Sequence, residues 1–185
     1  MLDTLLRIEK ALPKLIENRA AWHSLDVDYE PPRVERVWRD TEDEMGDTVR
    51  ICLHRIHPCE RALVHPHPWP SAMRVVHGRY EMKVGDGGVD DLAGTQGYHK
   101  CATLILHPGS AYEMVDPHAW HSVRPLGRCA YSLMIMGPKY KEQIFNHKPF
   151  GQGRDLKSLP VENEDEILRF FAAADVLIKS FNPEG

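Results

Sequence analysis

The 185-residue chain reads as one all-β domain with a helix at each end. Three observations predict this. Between about residues 32 and 138, short apolar segments of strand length are separated by turn signals. Both flanks carry apolar residues at helical spacing instead. The length suffices for one sizeable core and is short for two. Many short strands at this density imply a sandwich, a jelly roll or a closed barrel.

Along the chain, residues 1–24 form a helical lead-in. Leu5, Ile8, Leu12, Leu15 and Ile16 recur at helical spacing, Asp3 is the expected cap, and Pro13 is expected to split the stretch in two. Residues 32–138 form the barrel core, with strands expected around 34–39, 48–57, 72–84, 100–107, 119–124 and 129–136. Gly85 to Gly88 is the strongest turn cluster, and a polar loop over 90–97 continues it, so the strands on either side should pair antiparallel. The Gly-, Pro- and Lys-rich segment 146–160 reads as a linker. A closing helix over 162–181 presents Ile167, Phe170, Phe171, Ala174, Leu177 and Ile178 as one apolar stripe, which predicts packing on the domain's own core.

Composition excludes several partners. A net charge of -4, from 23 basic and 27 acidic residues, offers no basic face to nucleic acid and no polybasic segment to anionic lipid. No apolar run reaches the roughly 18 to 20 residues needed to cross a bilayer. Cys52, Cys59, Cys101 and Cys129 form no CxxC pair, and the first residues lack the pattern of an export signal, so a reducing cytoplasm is expected. There is no GxGxxG or P-loop pattern, and no Ser-His-Asp set stands out among the 11 histidines.

The chemistry concentrates in three histidines. His65 and His67 are two positions apart, so on an extended strand they project side by side, close enough to share one ion. Pro66 and Pro68 hold both residues extended, because the residue before a proline is pushed out of the helical region. His121 follows after a turn at Gly109 and is the expected third ligand. His118 is the competitor; it lies three residues away, reads as the preceding turn, and on a strand would face the opposite way.

The segment from His65 to Gly78, HPHPWPSAMRVVHG, resembles the first motif of the cupin superfamily, in which HxH is followed by three or four residues, a glutamate, six residues and a glycine. Ser71 stands where the glutamate would be, and Cys59 where the motif usually begins with glycine. The segment from Gly109 to Val123, GSAYEMVDPHAWHSV, resembles the second motif more loosely, with His121 at the ligand position, Pro117 displaced by one residue and Pro125 in place of the closing asparagine. The resemblance covers roughly Pro32 to Gly137. It implies a double-stranded β-helix, the cupin jelly roll, flanked by the N-terminal and C-terminal α-helices. It also implies one divalent ion on His65, His67 and His121, with Fe(II) favoured over Zn, Ni or Mn.

Without the glutamate, three neutral imidazoles leave the ion its full charge of +2, which invites anionic ligands. Among cupins, three-histidine iron sites occur in thiol dioxygenases and in some diketone-cleaving dioxygenases, so the resemblance implies a non-haem Fe(II)-type dioxygenase acting on a small anionic substrate. The segment 132–138, SLMIMGP, has Met134 and Met136 where thiol dioxygenases carry a catalytic histidine and tyrosine, which disfavours cysteine as substrate. The methionines, with Met73, Met82 and Met114, are expected to line the barrel as adaptable apolar filler. Met73, Arg74, Tyr112, Met134 and Met136 are the candidate substrate contacts; Arg79 and Arg124 are further candidates for a substrate carboxylate, and Tyr112 and His107 for proton donation. In residues 50–57 two faces alternate, Arg50, Cys52, His54 and Ile56 against Ile51, Leu53, Arg55 and His57, and the sequence does not choose between them. Two rival readings keep the fold: a metal-dependent isomerase or lyase using the ion as Lewis acid, and a non-catalytic small-molecule-binding module. Exposed sheet edges and amphipathic helices are compatible with a homodimer.

Overall fold

A computed structural model describes residues 1–28, 31–43, 46–87, 98–141 and 155–181, with backbone alone for 86–87, 98–101 and 175–181. The elements in chain order are α1 (Leu2–Glu17), a short 3-10 turn (Arg19–Ala21), β1 (His23–Val27), β2 (Val34–Glu42), β3 (Thr48–Ile56), β4 (His65–Pro66), β5 (Ser71–His77), β6 (Tyr80–Gly87), β7 (Tyr98–Leu106), β8 (Ala111–Met114), β9 (Ala119–Pro125), β10 (Ala130–Met136) and α2 (Val161–Phe181). The strands form two antiparallel sheets, a six-stranded one in the order β1-β2-β3-β10-β5-β8 and a four-stranded one in the order β4-β9-β6-β7. This is an all-β jelly roll flanked by helices.

Strand parity sorts the core into two layers. On β3 and β10, Ile51, Leu53, Leu133 and Ile135 point outward and join Leu5, Leu12 and Ile16 of α1 and Ile167, Leu168 and Phe171 of α2 in one cluster. Cys52, Ile56, Met134 and Met136 point the other way and join Met73, Val75, Tyr80, Met82 and Val123 between the sheets. The large sheet is therefore apolar on both faces. That is why its central strands read as near-continuous apolar runs.

Several local expectations are corrected. α1 runs unbroken through Pro13. Proline removes one intrahelical bond, but Leu5, Leu12 and Ile16, all buried, hold the helix on the sheet from both sides of it. Asp3 is not the cap and lies in the first turn; the Leu2 N–H donates instead to Glu113 Oε2 on β8 at 2.9 Å, a carboxylate at the positive end of the helix dipole. The expected strand over 72–84 is two strands, β5 and β6, separated at Gly78. This glycine has φ +72, and a Cβ there would lie 2.9 Å from the Cys129 carbonyl oxygen, so conformation and packing both demand it. Gly85 to Gly87 lie inside β6 and not in a turn; the register with β7 shifts between Val84 and Gly85, the irregularity glycines permit. The antiparallel pairing of β6 with β7 holds. β1 and β8 are strands the sequence reading did not place, while β4 is the extended segment expected at His65. The polar loop 90–97, Gly88, most of the expected linker, and the side chains of Leu177 and Ile178 lie outside the described residues. What is described of the linker is tied down: Lys157 bridges to Asp26, and Leu159 is buried with its N–H on Ser24 Oγ.

Candidate metal centre

Register brings the histidines together. His65 on β4 sits directly opposite His121 on β9, and His67 follows two residues later, just past the strand. Ring centroids are 4.7 Å apart for His65 and His121, 4.6 Å for His67 and His121, and 5.3 Å for His65 and His67. One ring nitrogen from each lies within 4.8 Å of the others, and among the described residues no carboxylate or thiol belongs to this cluster. His118 falls in the turn before β9 and is not part of it.

The rings of His65 and His67 are oriented by their remaining nitrogens. His65 Nδ1 lies 3.3 Å from the Leu63 carbonyl oxygen. A carbonyl only accepts, so the proton sits on Nδ1 and the lone pair is on Nε2. His67 Nδ1 lies 2.9 Å from Ser71 Oγ, and with the proton on Nδ1 the serine holds the ring with Nε2 turned toward His121. Ser71 thus occupies the expected glutamate position without the reach of a ligand, as an orienting partner for one. His67 Nε2 and His121 Nε2 approach to 3.0 Å. Two nitrogens each about 2.1 Å from one ion, and at right angles, would be about 3.0 Å apart. The donor set and its spacing therefore fit a divalent ion.

Electrostatics keep the ligands ready. Burial, then the neighbouring His65 and Arg36, push the His67 imidazole down to about 3. Burial, then His67 and His65, hold His121 well below its ordinary value. Both are neutral at any physiological pH, and neutral imidazole is the form that binds metal.

The other predicted site residues divide. Met73, Met82, Met134 and Met136 are in the inner cluster, with Tyr112 packed against it. The Tyr112 ring centroid is 6.4 Å from that of His121, and its hydroxyl donates to Met73 Sδ at 3.1 Å. Met114 is buried at the end of β8. Arg74 is on the outer face, bonded to Glu9 of α1 and to the Gly109 carbonyl at 2.7 Å, so it does not face the histidines. Its parity with Ala72 and Val76 puts it there. Arg124 pairs with Glu81 at 3.4 Å, while Arg79 and His107 are exposed. A surface groove between 58–60 and 124–127, with Arg79 on its rim, contains none of the three histidines. Of the two faces left open over 50–57, the one with Cys52, His54 and Ile56 points inward, and Arg36 on β2, which sequence reading missed, shares that face with Trp38.

No family profile and no curated protein matches the chain. Among solved structures it is similar to KdgF from Halomonas sp., with a TM-score of 0.44 and 18% identity, covering 66% of this chain and 93% of that one. It is also similar to hydroxypropylphosphonic acid epoxidase from S. wedmorenis, with a TM-score of 0.43 and 15% identity over 63% of this chain. There it spans 56% of the other chain's length. A third is the Drosophila melanogaster CENP-C cupin domain, with a TM-score of 0.43 and 13% identity, covering 63% of this chain and 75% of that one. These are cupin-fold proteins. Among the described residues, no helix is long and apolar enough to cross a membrane.

Proposed function

We propose that the protein is a metal-dependent cupin enzyme, a non-haem Fe(II)-type dioxygenase of small anionic substrates, with the ion on His65, His67 and His121. The observation that carries this reading is the cluster itself: three imidazoles, His67 and His121 held neutral, and no carboxylate of the described residues among them. A divalent ion bound there keeps its +2 charge and supplies open coordination positions and, as Fe(II), electrons for oxygen chemistry.

The chain's own residues do the rest. Leu63 and Ser71 fix the ring orientations. Met73, Val75, Met82, Val123, Met134 and Met136 form the apolar cluster between the sheets against which Tyr112 packs beside His121; such surface screens charge poorly, so an anion gains more next to it than in bulk solvent. Burial raises the Tyr112 hydroxyl well above the ordinary phenol range. It stays protonated, and its present acceptor is a weak thioether that an anionic ligand can replace.

Elemental analysis of the purified protein, followed by oxygen uptake with Fe(II) and a panel of small acids, thiols and diketones, tests the proposal. One ion per chain and substrate-dependent uptake are expected. Stoichiometric metal without any uptake would overturn the dioxygenase and leave Lewis-acid isomerase or lyase chemistry on the same three ligands.

A further inference from the structure

A polar row crosses the inner face of the large sheet between apolar neighbours. Arg36 on β2 pairs with His54 on β3, and His54 with Ser132 on β10, in cross-strand register. Above and below that row lie Val34, Trp38, Cys52, Ile56, Ala130 and Met134. Three polar side chains in line across an apolar wall are costly unless something engages them.

Each member is incompletely matched. Arg36 is only partly exposed, and its Nε–H donates to His54 Nε2 at 2.9 Å. His54, 3% exposed, is held neutral by burial and by Arg36, so it accepts that bond without offsetting the charge. Among the described residues no carboxylate pairs with Arg36, whereas Arg33, Arg50, Arg55, Arg74 and Arg124 each have one. Ser132 Oγ is fully buried and has no partner. The bond to Nε also leaves the terminal nitrogens of the guanidinium as a two-pronged donor, the geometry that suits a carboxylate. The row opens onto the inner cluster against which Val34, Trp38 and Tyr112 pack, and Tyr112 lies beside His121.

We propose that Arg36, oriented by His54, is the anion anchor of the barrel interior, so that the ligand is a small molecule with one chelating end for the three-histidine centre and a separate carboxylate for Arg36. The chelating end rests on the metal reading above; the anchor does not. His54 is a positioning residue that presents the guanidinium through Nε. The carboxylate accepts from the terminal nitrogens, and Ser132 lies on the same row as a further donor.

The test uses the full chain loaded with Zn(II), with acetate as probe and acetamide as its neutral isostere, followed by calorimetry and by the Arg36 Nε–H resonance. Wild type is expected to bind acetate in preference to acetamide and to shift that resonance. R36Q should weaken acetate binding about 10- to 100-fold, the range for a charged hydrogen-bonded pair, with zinc content unchanged. R36K, which keeps the charge but loses the fork and the bond to His54, should fall between, and it serves alone if R36Q does not fold. Equal acetate affinity in wild type and variants, or no preference over acetamide, overturns the anchor. H121A separates the two readings: it should lose zinc yet still shift the Arg36 resonance with acetate. Zinc retained in H121A would count against the metal centre only, and a resonance that no longer responds would count against the anchor.

Discussion

At the scale of single residues, the site depends on which nitrogen of His65 and of His67 is committed elsewhere. Replacing His65, His67 or His121 by Ala should each abolish stoichiometric metal, while His118→Ala should leave it bound; metal analysis of the four variants decides, and full retention by His121→Ala would sink the assignment. Ser71→Ala makes a subtler case. It removes no ligand but leaves His67 Nδ1 without its 2.9 Å partner, so metal affinity should fall about 10- to 100-fold with one ion still bound at saturation. An unchanged affinity in a competition titration would mean that packing alone orients the ring. The three-histidine cluster was legible in the sequence because its signal is local: two histidines alternate with prolines, and a third lies on a strand after a glycine turn. Arg36 was not legible. Its inward direction depends on the register of β2 against β3, and β3, apolar on both faces, gives no alternation from which to read it. Arg74 failed for the converse reason, since nothing near it in sequence shows that Glu9, 65 residues away, covers it.

At the scale of elements, each helix is fastened to the outer face of the large sheet by apolar packing and by side-chain polar contacts, which for α1 are a buried ion pair and for α2 reach an exposed glutamate. α1 uses Glu9, 3% exposed, with Arg74 on β5. α2 uses Asn163 and Glu166: Asn163 Nδ2 donates to Glu35 at 2.6 Å, and Arg55, itself on Glu35, donates to Glu166 at 2.7 Å. Breaking one partner of such a pair leaves an uncompensated buried charge, whereas replacing both with apolar residues of similar volume is often neutral. Arg74→Met should therefore cost about 3 kcal/mol, and Glu9→Leu with Arg74→Met should recover most of it. Denaturant unfolding measures both, and a neutral single variant would show that the pair carries no weight. Metal content should be unchanged in either, because Arg74 does not face the histidines. The helices themselves were readable from their apolar periodicity, and the stripe on α2 packs inward at Ile167, Phe171 and Ala174 as that periodicity implies. Pro13 misled because its cost is local, about 3 kcal/mol in an isolated helix, and the sheet contacts that outweigh it are not. β1, with the mixed run HSLDV, was hidden because its strand character comes from pairing with β2 and not from its own pattern.

At the scale of the whole molecule, the site and the stability of the fold are linked through protons. His54 and His121, buried, and His67, half-buried, are all held neutral, with desolvation the leading cause in each. Their folded values lie below the ordinary 6.5, so as the pH falls through 6.5 the unfolded chain takes up protons that the folded chain refuses, and stability is lost. For His67 the loss continues until the pH nears about 3. Glu35 adds to it at lower pH. Burial raises its carboxyl, but hydrogen bonds from Arg55, His57 and Asn163 outweigh that and bring it to about 2, so its contribution is present above 4.5 and disappears as the pH falls toward 2. Each histidine contributes a slope of about 1.4 kcal/mol per pH unit while only the unfolded state is protonated. Three together should make the metal-free protein lose stability steeply between about pH 6 and 4. A divalent ion that binds only the folded chain adds about 4 kcal/mol at a thousandfold excess over its dissociation constant. It should therefore move the acid unfolding midpoint to lower pH, by an amount that grows with free metal. Denaturant titrations at a series of pH values, with a chelator and with Zn(II), test this. A metal-free stability that stays flat from pH 7 to 5 would mean that the histidines are not held neutral, and an acid midpoint indifferent to zinc would mean that the three imidazoles do not hold it.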